Sequence, residues 1–502
     1  MSIKQFLFVD DNGDYTEGYS DSQLIKRSCD ASLAIGDLVF ESNSISNGVD
    51  KVENNKNVRS VLGYVTEKPT STTAMILTKG VITGLSGLTK TGKVYLSSSG
   101  GFTNTIPTGG YLQVLGHAID SDQFDFNPIN TKVKIYKPGF NFPLSYSDIY
   151  PSSTASYFGR YLDMDGNTLA VGSIDKFHVF IYDESSKTWT EEVTIDAPDG
   201  TGNHFGETIK ISGDTIVVGS PNYGANGHTK NGRAYIYTRS GTTWTLKVTL
   251  DGPDEDNTYF SKVLEICNDV VIIGAPIEDA GGVSDAGTVK IYEFDGTNTT
   301  LKQTLAGSSG NDRLGNRDIS IDGNKLLISE YGQRKVFLYE YNGTSWVLSE
   351  TFTSSESYFG YSVDIKGDKI IIGSPYYNDG SITCGAYYVY TYDGTNWNNS
   401  APIMASDKAA NDHFGASVSV YDNYIISGAY GADPNSNNEA GKAYIFEFDG
   451  TNWAEKQIIE GTSANDSLGS YVYGYGGHIF IGAYGSELHG TDHGEVRDYK
   501  NS

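Results

Sequence analysis

From about residue 158 to the C-terminus, one arrangement of apolar and polar positions returns again and again. It is plainest over 203–244, NHFGETIKISGDTIVVGSPNYGANGHTKNGRAYIYTRSGTTW. An aromatic–glycine pair, Phe205-Gly206, opens the unit, and residues 207–212 then alternate apolar and polar. An unbroken apolar run over 215–219 ends in Gly219-Ser220-Pro221, and a polar loop, a tyrosine-rich run at 234–237 and a tight turn before Trp244 complete it. Alternation of period two marks a half-buried strand, and a short continuous apolar run marks one buried on both faces. Each unit therefore predicts four short strands separated by turns. The opening pair recurs as Phe158-Gly159, Phe260-Ser261, Leu314-Gly315, Phe359-Gly360, Phe414-Gly415 and Leu468-Gly469, which makes seven units. Their period, roughly 40–50 residues, is that of a repeat architecture.

The second mark returns at 171–173, 218–221, 273–276, 372–375, 427–430 and 481–484, and the fourth unit departs from it with Ile328-Ser329-Glu330. Together the marks resemble the FG-GAP repeat of integrin α-subunit heads and of many bacterial and viral proteins, over nearly three quarters of the chain. The resemblance implies a seven-bladed β-propeller over 138–502, one blade per unit, and four strands to a blade agree with it. Asp-Gly turns such as Asp393-Gly394 and Asp449-Gly450 suit the hairpins, and the tryptophan after each is expected between neighbouring blades. The seventh unit stops after its third strand, at 495–499, while spare sequence at 140–153 precedes the first. Part of it, near 143–149, is expected to supply the missing fourth strand, closing the ring and hiding an open edge.

Residues 1–137 lack the repeat. Strand-like runs at 4–9, 36–40, 58–65, 73–77, 93–96, 111–118 and 132–136 alternate with turn residues, and 10–32 reads as a short helix or an extended arm. Lys137-Pro138-Gly139 marks a boundary. The fold class expected is therefore all-β, a small N-terminal β domain (1–137) followed by the propeller (138–502). Within the first part, a Val-Tyr-Leu run at 93–96, Gly100-Gly101-Phe102-Thr103, Pro107 and the Tyr-x-Gln-x-x-Gly run at 111–116 resemble a small β module of tailed-phage virion proteins. That resemblance implies attachment or decoration, with no catalysis.

Composition narrows the partners. With 62 acidic and 36 basic side chains the formal net charge is −26, which argues against nucleic acid or an anionic membrane as partner. Cys29, Cys267 and Cys384 are too far apart for a metal motif or a disulfide framework, and Cys267 reads as an inert core thiol. No signal-peptide pattern and no run of ~18 apolar residues is present, so neither export nor membrane insertion is expected.

Candidate chemistry lies in the loops between second and third strands, which share one face with the connections between blades. These loops are long at 221–232, 276–287, 375–385, 430–441 and 484–494 and short at 174–177 and 331–334. A groove crossing the low points at blades one and four is the candidate site, lined by Tyr223, His228, Glu278, Asp279, Tyr376, Tyr377, Asp379, Tyr430, Asp433, His489 and His493. Tyrosine beside Asn and Asp suits carbohydrate or protein. No metal or other cofactor is expected: His489, Asp492 and His493 fix no further ligand, and Asp163-Met164-Asp165-Gly166 lacks the third aspartate of an integrin-type calcium loop. The Asn-Asp pairs at 311–312, 411–412 and 465–466 recur too regularly for an active site and read as Asx turns entering the first strand. No nucleophile elbow, phosphate loop or zinc helix appears, so no catalytic residues are assigned.

The function expected is that of a phage virion structural protein (capsid decoration, head fibre or tail fibre) made in the host cytoplasm. Its N-terminal domain would bind other virion proteins and form a homo-oligomer, a trimer being common among such proteins. Its propeller would bind a host surface glycan or protein. The alternatives are a bacterial surface or secreted adhesin and a polysaccharide-degrading enzyme.

Overall fold

The computed structural model describes the strands within residues 23–134 by their backbone, and residues 144–500 apart from 450 and 488–493. Two units divide the chain, 1–139 and 140–502. Among the described residues the only helical elements are two single turns, Tyr331–Gln333 and Pro434–Ser436, and no helix is long and apolar enough to cross a membrane. In the first unit strands lie at or beside the expected runs, including Leu38–Glu41, Gly63–Thr70, Thr73–Thr83, Lys93–Leu96 and Val114–Asp120. Gln23–Cys29, inside the stretch read as helix or arm, is also a strand, paired with Thr73–Thr83. The run at 4–9 lies outside the described residues.

The second unit is a seven-bladed β-propeller, seven antiparallel sheets of four strands each. The first strands, Leu162–Asp165, Thr208–Ser212, Leu264–Cys267, Ile319–Asp322, Val363–Lys366, Ser417–Tyr421 and Tyr471–Tyr475, neighbour one another around a central channel, and the seventh returns to the first. Second strands such as Leu-Ala-Val at 169–171 and Ile-Ile-Ile at 370–372 are buried on both faces, as their unbroken apolar runs require. Outer strands such as Thr243–Asp251 are largely exposed.

Ser145–Ile149 is the fourth strand of the seventh blade. It runs antiparallel to Glu495–Lys500, with Tyr146 opposite Tyr499 and Ile149 opposite Val496. The ring is thus closed by joining the two ends of the propeller sequence within one sheet, as expected from the spare N-terminal segment.

Both sequence marks owe their glycines to contacts between neighbouring blades. The glycine after the aromatic holds a left-handed backbone, with φ of 82° at Gly159, 84° at Gly206 and 86° at Gly415. Its carbonyl rests on the second-strand glycine of the preceding blade: a Cβ on Gly172 would stand 2.1 Å from Gly206 O. Third-unit Ser261 keeps the same geometry at φ 71°, and its hydroxyl is used, accepting from Ser220 N at 3.0 Å and donating to Arg233 O at 2.7 Å.

Blades are further joined by polar side chains. Asp163 accepts from Ile211 N (2.9 Å), Asp318 from Val363 N (2.8 Å) and Asp364 from Val420 N (2.8 Å), so carboxylates of one blade satisfy the free inner-edge amides of the next. Asp165, the second aspartate of the Asp-x-Asp-Gly turn, is engaged the same way, by Gly213 N at 2.6 Å and the Tyr475 hydroxyl at 2.6 Å. Asp322 repeats the tie to Gly367 N at 2.7 Å. The tryptophans pack between blades as expected: Trp189 meets His478 and Phe480 of blade seven at 5.6 and 5.9 Å between centroids.

Two expectations change. The aspartates of the Asn-Asp pairs reach backwards and do not turn into the first strand. Asp312 accepts from Ser308 N and Ser309 N, and Asp466 from Thr462 N and Ser463 N, so each holds the connection arriving from the previous blade. The asparagines supply the left-handed residue that follows (φ 63°, 68° and 66° at 311, 411 and 465). Cys267, at the end of its strand, is half-buried, whereas Cys384 is buried.

Candidate binding site at the mouth of the channel

The face bearing the second-to-third loops opens onto a cavity of about 250 Å³ at the channel mouth. Its wall comes from one repeated position, the two residues that follow the aromatic–glycine pair: Arg160 and Tyr161, Arg317, Tyr361 and Ser362, Ala416 and Ser417, Ser470 and Tyr471. Tyr430 and Tyr484, each directly after a second strand, lean in from blades six and seven, and Asp318 lies at the inner end. Because the left-handed glycine turns the chain into the first strand at this point, whatever residue follows it is delivered to the mouth.

Aromatic rings extend the wall outward. Tyr331 stacks on Tyr358 (5.7 Å between centroids), Tyr358 meets Tyr376 (4.3 Å), Tyr376 meets His413 (4.7 Å) and His413 stacks on Tyr430 (5.1 Å). On the far side Tyr484 meets Tyr157 at 5.5 Å. Burial lowers the His413 pKa, which favours the uncharged ring. Tyr157 and Tyr358 remain 43% and 39% exposed, so the crescent offers ring surface to solvent.

Cations stand among these rings. Arg317 lies over Tyr361 and Tyr331, at 4.3 and 5.2 Å from their centroids. Arg160 lies 5.8–6.0 Å from Tyr484, Tyr157 and Tyr161, and Lys262 is 5.5 Å from Tyr259. These distances are within cation–π range. Burial lowers the Lys262 pKa, and the positive charges of Arg317 and Arg160 lower it further. Deeper in the channel Lys210 and Glu265 form an ion pair at 2.9 Å. Burial pushes the Glu265 carboxyl up to about 7, and the buried Lys210 is raised well above its ordinary value by Glu265, with Asp163 adding to the pull.

Of the residues expected from sequence, Tyr430 lines this cavity and Tyr376 stands in the crescent. The other described ones lie in the surrounding loops, several held by local partners. Tyr223 stacks under Arg233 at 4.0 Å. His228 faces Asp256 at 3.4 Å, and Glu278 pairs with Lys290 at 3.0 Å. Asp279 accepts from Asp285 N, and Asp433 from Glu439 N. Asp379 binds Lys408 at 2.6 Å and the amides of its own turn, and Tyr377 meets Tyr388 edge-on at 6.5 Å. His489 and His493 lie outside the described residues. Arg160, Arg317, Tyr361 and Tyr471 were not singled out from sequence, although reading the residues after each aromatic–glycine pair as a column finds them.

One arrangement elsewhere has the order of a hydrolytic triad. Ser173 Oγ is 3.1 Å from His178 Nε2, and His178 Nδ1 is 2.9 Å from Glu191 Oε1. Ser173 and His178 are 2% and 0% exposed, and Glu191 also accepts from Ser152 N at 2.8 Å. The line therefore binds the segment after the closing strand to blade one from inside the sheet.

Fold and mouth together define a propeller with a polar–aromatic channel mouth. The FG-GAP repeat family model matches three of its segments, residues 189–237, 353–390 and 397–446. Each match runs from the end or the whole of one blade's outer strand to the third strand of the next, the same one-strand offset that closes the ring. Among solved structures, a chain of the crystal structure of a mitotic checkpoint complex is similar, with a TM-score of 0.47 and 14% identity, over 74% of this chain and 99% of that one. No curated protein matches this chain.

Proposed function

We propose that the chain is a structural protein of a tailed-phage virion, decorating the head or forming a fibre, whose propeller binds a carbohydrate of the host surface without cleaving it. The observation that carries the carbohydrate reading is the crescent of tyrosine rings at the channel mouth. Flat apolar rings with polar edges stack on sugar faces while their hydroxyls meet sugar hydroxyls. The virion reading rests on the sequence pattern of 84–120 and assigns the N-terminal region to particle attachment and self-association.

The test is saturable binding of the full-length protein to bacterial cells, lost when the cells are treated with periodate and retained after protease. Tyr358→Ala and Tyr376→Ala together are expected to weaken it by about 5- to 150-fold, since each stacked ring contributes roughly 0.5–1.5 kcal/mol. Binding that survives periodate and is lost to protease would replace the glycan with a protein. Release of reducing sugar would show an enzyme. Mass spectrometry of purified particles checks the virion role, and the chain on the bacterial surface with none in particles would make it an adhesin.

A further inference from the structure

The mouth gathers basic side chains that no described carboxylate meets at ion-pair distance, although Asp318 lies at its inner end. In a chain of net charge −26, basic side chains commonly find carboxylates, as Lys210, Arg233, Lys408 and Arg497 do. Arg160, Lys262 and Arg317 differ. Among the described residues none of the three has an ion-pair partner, and each lies instead beside tyrosine rings. Glu207, whose charge reaches Arg160 and Lys262, is engaged by His204 at 2.7 Å, and Asp318 shares the cavity wall with both arginines. Arg160 and Arg317, on blades one and four, line one cavity, and their like charges repel each other in the free protein. Such a set is stabilised by an anion arriving between them.

We infer that the channel mouth is a site for an anionic sugar residue, its negative group held by Arg160 and Arg317 and its ring lying against Tyr361 and Tyr430. The inference deepens the carbohydrate reading above and rests on it. Size supports a single residue, because about 250 Å³ falls below the ~300–1,000 Å³ that encloses a drug-sized ligand. Arginine supports a planar or tetrahedral oxyanion, since its fork matches carboxylate and phosphate alike. Short second-to-third segments in blades one and four (174–175 and 331–334) leave the approach to Arg160 and Arg317 low. A longer polysaccharide can therefore continue across the face from the bound residue.

The experiment is titration calorimetry of the full-length protein with three probes: glucuronate-containing oligosaccharide, glucosamine 6-phosphate-containing oligosaccharide and the neutral glucose oligosaccharide. At least one anionic probe is expected to bind about tenfold or more tighter than the neutral one, and to weaken as salt screens the attraction. The carboxylate and phosphate arms identify which oxyanion is used. Arg317→Gln and Arg160→Gln should each remove most of that preference while leaving the melting temperature within about 1 °C, as both heads lie at the solvent-facing mouth. Equal binding of all three probes, unaffected by the arginine variants but lost in Tyr358→Ala/Tyr376→Ala, overturns the anion inference and keeps the carbohydrate reading. No binding of any probe, by a protein that also fails to bind cells, overturns both.

Discussion

Removing residues 144–150 from the full-length chain is expected to abolish cooperative folding of the propeller. Ser145–Ile149 contributes a whole edge of the seventh blade. Ile149, 2% exposed, packs with Phe158, Phe480 and Val496, and Leu144, 8% exposed, packs with Ile459 and Tyr499. Tyr146 lies 5.0 Å from Tyr499 between ring centroids, with Arg497 over its face at 5.2 Å. Ladder hydrogen bonds contribute about 1 kcal/mol each and a fully buried aliphatic side chain about 1.5–3 kcal/mol, so the strand as a whole is worth on the order of 5 kcal/mol or more. That is a large part of the roughly 5–15 kcal/mol by which a folded domain is stable. The loss is also topological, since Glu495–Lys500 would become an open edge able to pair with another chain. Calorimetry should show no propeller transition for the deletion, and light scattering should show aggregation. The milder Ile149→Ala should cost about 2–5 kcal/mol and still fold, whereas Leu301→Ala, at a position 51% exposed, should change stability by less than about 0.5 kcal/mol. A deletion variant that melts like the parent would show that the ring holds without this closure.

The closing strand was legible in the sequence because the seventh unit is one strand short and the N-terminal side one strand long. The blades were legible for a related reason: glycine is fixed wherever two backbones touch, and the same contact recurs around the ring. The mouth was harder to read. Arg160, Arg317, Tyr361 and Tyr471 are separated by tens to hundreds of residues and meet only because the ring closes, and no local spacing records that. Loop length pointed to the face on which the channel mouth opens, yet it drew attention to loop residues such as Asp379 and Asp433, whose oxygens hold their own loops. Short polar side chains in turns serve the backbone first, so an acidic loop residue carries little information about ligands. A residue delivered to the channel by a left-handed glycine carries more, because its placement there is set by the frame and its identity is free to vary from blade to blade.

That reading of the frame makes a second strong prediction, at Gly428. A Cβ at this position would lie 1.8 Å from Gly469 O and 2.7 Å from Gly469 C, and both are backbone atoms of the next blade that cannot swing aside. Gly428→Ala must therefore push blades six and seven apart, and the strain is shared around a closed ring. Overpacking ordinarily costs about 1–3 kcal/mol and occasionally more; with backbone on the receiving side, the upper end or beyond is expected, and Gly428→Val should fail to fold. Gly213→Ala separates this effect from glycine's conformational freedom. Gly213 holds φ 56° with nothing within 4 Å of its Cβ position, so only the left-handed backbone is penalised, at roughly 1 kcal/mol. The ring contains its own control in blade four. There Ser329 occupies the place of the second-strand glycine, its Cβ 3.8 Å from where a Cβ on Gly360 would stand. That junction admits a side chain. Ser329→Ala should consequently cost only the hydrogen bond that its hydroxyl accepts from Asp318 N at 3.1 Å, about 1 kcal/mol. Denaturant unfolding should rank the variants Gly428→Ala, then Gly213→Ala and Ser329→Ala together near the parent. A Gly428→Ala protein as stable as Gly213→Ala would mean that the blades can separate freely at their inner ends, and the recurring glycines would then need another cause.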